Sequence, residues 1–164
     1  MAKQPKTLDE LFHDTLKDIY YAEKKILSTL PKMAKAARNP DLQAAFEKHR
    51  DETAVHVERL EEIFEMVDKK PQGKKCPAID GITEEGAEVI EEYKGSDALD
   101  AGLLAAAQAV EHYEISRYGT LRTWAQSLGH TDAADLFQQT LNEEDAADEV
   151  LSELAMSAVN AEAA

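Results

Sequence analysis

Apolar side chains recur every three to four positions along four long segments, which is the spacing of one face of an amphipathic α-helix. The predicted helices run over about 8–38, 41–67, 98–127 and 132–158. In the first of them the apolar stripe comprises Phe12, Leu16, Ile19, Ile26 and Leu30. No stretch alternates between apolar and polar residues as a half-buried strand does. The pattern therefore predicts an all-α protein.

Turn signals group these helices into two hairpins. Asn39-Pro40 ends the first helix, and Gly129 favours the left-handed conformation in which helices commonly end. Thr7 is predicted to cap the first helix in a capping box with the glutamate three residues later. Pro31 is expected to kink or break the same helix near its end, because proline cannot donate to the preceding turn.

One long connector, about 68–97, separates the hairpins at about 8–67 and 98–158. It holds half of the glycine and proline residues of the chain, and Thr83 could cap a short extra helix that reaches Tyr93. Two tight hairpins joined by one long crossover are typical of a ferritin-like four-helix bundle. The predicted fold is therefore all-α, with the long crossover between the second and third helices of the bundle.

Composition narrows the range of functions. Residues 1–164 are long enough for a single domain with a real core, and 43% of them are hydrophobic. The 33 acidic and 18 basic residues leave a net charge of -15, which argues against nucleic acid and anionic membranes as partners. No apolar run approaches the roughly 18 residues of a membrane span, and the N-terminal segment lacks the apolar region of a signal peptide. We therefore expect a cytoplasmic protein.

Cysteine chemistry is not expected to carry the function. The single cysteine, Cys76, excludes an internal disulfide and a cysteine-based zinc site. It lies in the polar connector, so we expect a plain surface thiol rather than a nucleophile, which would need an activating base.

Ionisable side chains interrupt the apolar stripe of every predicted helix. They are Glu23 in the first helix, His49, Glu52 and His56 in the second, Glu111 and Glu114 in the third, and Glu144 and Asp148 in the fourth. Burying several ionised carboxylates together without a partner costs several kcal/mol for each one. The stripes carry no lysine or arginine that could neutralise them. A bound cation would do so, and a dinuclear site suits this many ligands.

The positions of the glutamates along their hairpins support this interpretation. The midpoint of Glu23 and Glu52 falls beside the first turn, and that of Glu114 and Glu144 falls at Gly129. Each pair lies about 15 residues from its turn, or about 22 Å along the helices. If the hairpins pack with their turns at matching ends, the four glutamates meet in one layer.

His56 at i+4 from Glu52 and Asp148 at i+4 from Glu144 would add one ligand to each hairpin, and Glu111 another carboxylate. A site rich in oxygen with one or two imidazoles suits iron or manganese. Simpler interpretations stay open, because stripe-edge glutamates can reach solvent and His56 can be a core histidine bonded to a carboxylate. His49 is expected to pack beside the site or support a ligand.

Three tyrosines lie near the same level of the predicted bundle. They are Tyr20, Tyr113 and Tyr118. We expect ordinary core residues at these positions, with hydrogen bonding to a metal ligand as the alternative.

Four segments give the chain a family resemblance over nearly its whole length. They are LDELFHDTLKDIYYAEKKI, HRDETAVHVERLEEIFE, AAAQAVEHYEISRYGTLRTWA and QQTLNEEDAADEVLSELA. On these segments the sequence resembles the YciE/YciF family of ferritin-like proteins. The resemblance implies a rubrerythrin-like four-helix fold, a homodimer, a carboxylate-bridged di-metal centre and a part in bacterial stress responses.

The resemblance also implies the ligand set of that centre. It comprises Glu23, Glu52, His56, Glu111, Glu114, Glu144 and Asp148. The Glu-x-x-His spacing of ferritin-like sites is absent, because Val55 and Ala147 occupy the two i+3 positions. The site would therefore be richer in carboxylate and poorer in imidazole than that of a di-iron oxidase.

Three functions are compatible with these features. The leading hypothesis is a di-iron protein of the stress response that oxidises Fe(II) with oxygen or peroxide, or removes peroxide. The alternative is a structural or interaction protein of the stress response, in which metal only stabilises the bundle. A dimanganese, catalase-like site is a third possibility.

Overall fold

The computed structural model describes residues 4–164, so the first three residues of the predicted domain lie outside the described residues. Its helices are α1 (Leu8–Ala36), α2 (Pro40–Met66), α3 (Pro77–Glu92), α4 (Leu99–Ser127) and α5 (Thr131–Leu154), followed by a π-helical turn (Ala155–Val159) and α6 (Asn160–Ala163). Residues 4–164 contain no strand. Helices α1 and α2 form one hairpin and α4 and α5 the other, and α2 packs on α5 while α1 packs on α4. The predicted all-α, ferritin-like four-helix bundle is confirmed.

Local sequence sets several of the helix ends. The Glu10 backbone N–H donates to Thr7 Oγ1 at 3.2 Å, and the Thr7 N–H donates to the Glu10 carboxylate at 2.8 Å, which completes the predicted capping box. Asn39 Oδ1 caps α2, whose first residue is a proline. Gly129 has φ +82, in the left-handed region that glycine adopts without steric cost. Both the capping box and the role of Gly129 are therefore confirmed.

The two hairpin turns lie at opposite ends of the bundle, so the condition of turns at matching ends is not met. The backbone N–H groups of Arg38 and Asn39 donate to Asp100 at the start of α4, at 2.8 and 2.7 Å. The other turn meets the beginning of α1, where His130 stacks on Phe12. The connector explains this arrangement, because its helix α3 packs along α1 and α4 and returns the chain to the Asn39 end.

Several predicted boundaries differ from the structure. Helix α1 is not broken at Pro31 and ends at Ala36, two residues before the predicted end, and α3 begins at Pro77, six residues before the predicted cap. Thr83 lies inside α3 and donates to the Ile79 carbonyl. Proline is favoured at the first position of a helix because its missing N–H would be unpaired there in any case.

The expectation of a surface thiol at Cys76 is also wrong. Cys76 is buried, and its Sγ lies 3.1 Å from the Tyr113 hydroxyl. The polar composition of the connector concealed the fact that this residue precedes the first turn of α3 and belongs to the hydrophobic core. Among residues 4–164, no helix is both long and apolar enough to cross a membrane.

Candidate metal centre

Six ionisable side chains converge at the middle of the bundle, and none exposes more than 5% of its surface. They are Glu23 from α1, His49 and His56 from α2, Glu111 and Glu114 from α4, and Glu144 from α5; we call them the carboxylate–histidine cluster. The glutamates meet although the turns lie at opposite ends, because each glutamate is near the midpoint of its helix. The midpoint of a helix stays at the same height when the helix is reversed.

Two groups of ligand atoms within the cluster could each hold a metal ion. One consists of His49, Glu111, Glu114 and Glu144, and the other of Glu23, His56 and Glu144; in each group the candidate ligand atoms lie within 4.8 Å of one another. Glu144 belongs to both groups. One of its carboxylate oxygens is 2.9 Å from His56 Nδ1, and the other is 3.8 Å from His49 Nε2. A shared carboxylate of this kind is the arrangement that a dinuclear site requires.

Most polar atoms of the cluster have close neighbours but no hydrogen bond of adequate geometry. Both oxygens of Glu114 and Glu144, both ring nitrogens of His49 and the Nδ1 of His56 are in this state. A buried polar group without a partner costs about 1–3 kcal/mol. Several such atoms facing one another are what a bound cation requires, because all of them could coordinate it. The donor set therefore fits metal.

Protons neutralise the cluster when no cation is bound. Burial and the charges of Glu144 and Glu23 raise the pKa of Glu114 well above 4.5. Burial also raises the pKa of Glu144 to about 7. Burial alone would lower the pKa of the two histidines, but the attraction of the adjacent carboxylates outweighs it, raising the pKa of His56 to about 10 and that of His49 well above 6.5. Metal must displace these protons.

His56 is oriented by a network outside the cluster. Its Nε2 lies 2.7 Å from the Glu143 carboxylate, which also accepts from the Arg59 guanidinium at 3.0 and 3.2 Å. Arg59 donates in addition to the Thr140 hydroxyl at 2.6 Å. Because an ionised carboxylate only accepts, Nε2 carries a hydrogen and Nδ1 faces Glu23 and Glu144. In the neutral ring this leaves Nδ1 as the nitrogen that can bind metal.

Sequence reasoning missed this network. Glu143 is partly exposed and precedes the buried Glu144, so it falls outside the apolar stripe of α5. Arg59 follows His56 by three residues and lies on the same face of α2. An arginine at i+3 from a buried histidine was the available signal.

Of the three tyrosines, only Tyr118 contacts the cluster. It is fully buried, and its hydroxyl donates to Glu23. Tyr20 instead bonds Glu61 at 2.8 Å, and Tyr113 meets Cys76. Tyr20 and Tyr113 therefore fit the expectation of ordinary core residues. Tyr118 fits the alternative, in which a tyrosine hydrogen-bonds a candidate metal ligand.

Two of the seven predicted ligands lie beside the cluster rather than in it. Glu52 is partly exposed, 3.4 Å from Lys48 Nζ and 3.9 Å from His49 Nδ1. Asp148 lies 3.2 Å from His112 Nε2 and 3.3 Å from the Gln108 amide. Metal binding by Glu52 and Asp148 stays a prediction, and it requires each side chain to leave these partners.

Helix geometry accounts for this placement. His49 and His56 are seven residues apart, which at about 100° per residue puts them within about 20° on one face of α2. Glu52 lies between them and is rotated by about 40–60°. His49, which we expected to pack beside the site, therefore enters the cluster instead.

Comparisons with known proteins agree with this architecture. Residues 7–164 match the family model described as a domain of unknown function, DUF892. Protein YciF of Escherichia coli (strain K12) is 44% identical over 159 residues, which is 96% of each chain. The crystal structure of the E. coli stress protein YciF superposes with a TM-score of 0.90, covering 95% of this chain and 99% of that one.

Two further solved structures are similar. YcfI from Rhodopseudomonas palustris, described as a proposed structural protein, is 45% identical with a TM-score of 0.88 and covers 93% of this chain and 97% of its own. A protein from Xanthomonas campestris, at 23% identity and a TM-score of 0.74 over 94% of both chains, shows the fold alone. The family model spans nearly the whole sequence, and the resemblance to YciF is confirmed. The chain therefore belongs to the DUF892 family and is a YciF-like protein.

Proposed function

We propose that this protein binds two iron ions in the carboxylate–histidine cluster and uses them in the stress response to oxidise Fe(II) or reduce peroxide. The observation that supports this proposal most directly is that two groups of buried, unpartnered ligand atoms share Glu144. Four carboxylates carry four negative charges when ionised, which equals the charge of two divalent ions. The similarity to a protein described as a stress protein supports the physiological part of the proposal.

Iron fits the donor set better than zinc does. Each group contains one imidazole, and all its other donors are carboxylate oxygens. Structural zinc prefers four nitrogen or sulfur ligands in a tetrahedron, whereas oxygen-rich sites with few imidazoles suit iron or manganese. Two manganese ions are therefore the runner-up, and peroxide disproportionation with manganese but not with iron would favour them.

The residues of the chain have separable tasks in this proposal. Glu144 would hold both ions, and Glu143 keeps Nδ1 of His56 turned toward the cluster. Tyr118 donates to Glu23 and fixes the orientation of that carboxylate. Burial excludes water from the centre, which strengthens every charge interaction within it. When bound, a pair of iron ions supplies two electrons to a small oxidant.

A structural role is the second candidate. The similar protein YcfI is described as a proposed structural protein, and the raised pKa values show how protons alone can neutralise the cluster. In that case chelation lowers the melting temperature and removes no turnover. For either role we propose a cytoplasmic homodimer, in line with the family resemblance.

Elemental analysis of protein purified without chelators, together with its optical spectrum, tests the proposal. We expect about two iron atoms per chain and a near-ultraviolet band that bleaches on reduction. Glu144→Ala should lose both ions because Glu144 serves both groups. Glu149→Ala is the matched control, since Glu149 is exposed on the same helix. If the parent protein takes up neither Fe(II) nor Mn(II) under anaerobic conditions, the proposal is refuted.

Glu52→Ala examines the predicted ligand that lies beside the cluster. If Glu52 binds metal after leaving Lys48, the variant should hold less metal than the parent. An unchanged metal content would remove Glu52 from the ligand set and leave the remaining proposal in place.

A further inference from the structure

A small cavity of about 40 Å³ lies against the cluster, on the side facing the Asn39 turn. Two cluster residues, His49 and Glu111, form part of its wall. The remaining wall is largely apolar and includes Ile26, Leu30, Met33, Phe46, Val110 and Leu151. The cavity therefore joins the candidate metal ligands to an apolar space that metal binding by itself does not require.

Small side chains on three helices leave this space open. Ala45 on α2, Ala107 on α4 and Ala147 on α5 all line the cavity. Its mouth lies between α2 and α5, where the lining residues Lys48 and Val150 are exposed to solvent. The cavity thus lies between solvent-exposed residues and the His49 side of the cluster.

The ionisable side chains of the cavity wall are His49 and Glu111, which belong to the cluster, and Lys48 and Glu52, which pair with each other at 3.4 Å. Elsewhere the wall is apolar apart from two threonines. Both threonines are turned onto their own helices, since Thr29 donates to the Lys25 carbonyl and Thr83 to the Ile79 carbonyl, both at 2.8 Å. A water molecule or a peroxide molecule needs several polar partners to be stable in a buried space. An apolar molecule needs none and gains by leaving water.

The volume limits the size of the ligand. One water-sized group needs roughly 10–15 Å³, so about 40 Å³ admits a molecule of two or three heavy atoms. Sites for organic ligands are typically about 300–1,000 Å³. The space is therefore suited to a gas molecule and too small for an organic substrate.

We propose that this cavity binds a small apolar gas molecule of the size of dioxygen and admits it to the His49–Glu111 side of the cluster. That dioxygen is the reactant rests on the proposed function. Of the two oxidants considered there, the apolar cavity favours dioxygen over peroxide. Binding of an apolar gas to the cavity does not depend on metal.

Xenon is the probe for the metal-free step. We expect crystals of the full chain, freed of metal by chelation and pressurised with xenon, to show one xenon atom between Phe46 and Ala107. Ala147→Leu should remove it by filling the half-buried mouth, whereas Ala146→Leu, on the exposed neighbouring position, should retain it. Solution ¹²⁹Xe chemical shifts of the same variants provide a second readout. Xenon absent from the parent cavity overturns the proposal.

Oxidation kinetics of the iron-loaded protein test the admission of dioxygen through the cavity. Ala147→Leu should slow the reaction with dioxygen at least fivefold at unchanged iron content, and should slow the reaction with hydrogen peroxide much less. Equal slowing by both oxidants overturns the assignment to an apolar gas. Xenon binding in a protein that takes up no metal would refute the proposed function while supporting the cavity, so the two failures are distinguishable.

Discussion

Glu114→Gln should stabilise the metal-free protein at pH 8 and abolish metal binding. Glu114 is fully buried, and neither of its oxygens has a hydrogen bond. Burial and the charges of Glu144 and Glu23 oppose its ionisation, whereas His49, at 3.7 Å, favours it. Glutamine has nearly the same shape, carries no charge, and can donate to the neighbouring carboxylates.

The sign follows from proton linkage. The pKa of Glu114 is higher in the folded protein than in the unfolded chain, so the folded state binds its proton more tightly. Stability is therefore lost as pH rises from about 4.5 towards the folded pKa, by about 1.4 kcal/mol for each pH unit in that interval. Glutamine has no such loss. A buried charged Glu114 without a partner costs about 1–3 kcal/mol. Because the variant avoids this cost, we expect its free energy of unfolding at pH 8 to exceed that of the parent by at least about 1 kcal/mol.

Urea unfolding with excess chelator at pH 5 and pH 8 measures this effect. We expect little difference between variant and parent at pH 5 and a higher midpoint for the variant at pH 8, with unchanged slope. Glu149→Gln is the control for loss of an exposed glutamate on the bundle. Elemental analysis of both variants completes the comparison. A variant that is less stable than the parent at pH 8, or that binds two metals, would show that Glu114 is not a carboxylate retained for metal.

Three other predictions concern the surroundings of the cluster. Glu143→Gln should weaken metal binding about 10–100-fold in chelator competition, with unchanged helix content, because His56 loses the charged partner of its Nε2. Metal affinity should rise with pH between 6.5 and 10, and loading at pH 8 should release protons into weak buffer, since the His56 pKa is about 10; loading without proton release contradicts this. Gly102→Ala should lower the free energy of unfolding by about 1 kcal/mol and so shift urea unfolding to a lower midpoint, as the new Cβ would lie 2.7 Å from Val89 Cγ1 on α3.

Local sequence signals predicted the helices and most of their ends. The 3.6-residue period, the capping box at Thr7 and the left-handed Gly129 all act within a few residues, so they can be recognised without the rest of the fold. The relative direction of the hairpins could not be predicted from such local signals. It depends on the path of the connector across α1 and α4, which is a contact between distant parts of the chain.

In the candidate site, too, some features were predictable from local sequence and others depend on tertiary contacts. Four glutamates inside apolar stripes already indicated a buried, cation-seeking centre, because carboxylates at such positions are costly without a partner. Which neighbouring residues enter the centre depends on rotations of about 40° around each helix and on the direction of each side chain. Tertiary packing therefore turns His49 inward, gives Asp148 a partner on α4, and recruits Glu143 to hold His56.

The sequence by itself thus determined the helical hairpins and the presence of carboxylates in the core, since both follow from periodicity and local chemistry. Only the tertiary structure decided that Glu144 is shared by two ligand groups, that the turns lie at opposite ends, and that a cavity reaches the cluster. These features arise where four helices meet, and their geometry depends on side chains that are distant in sequence.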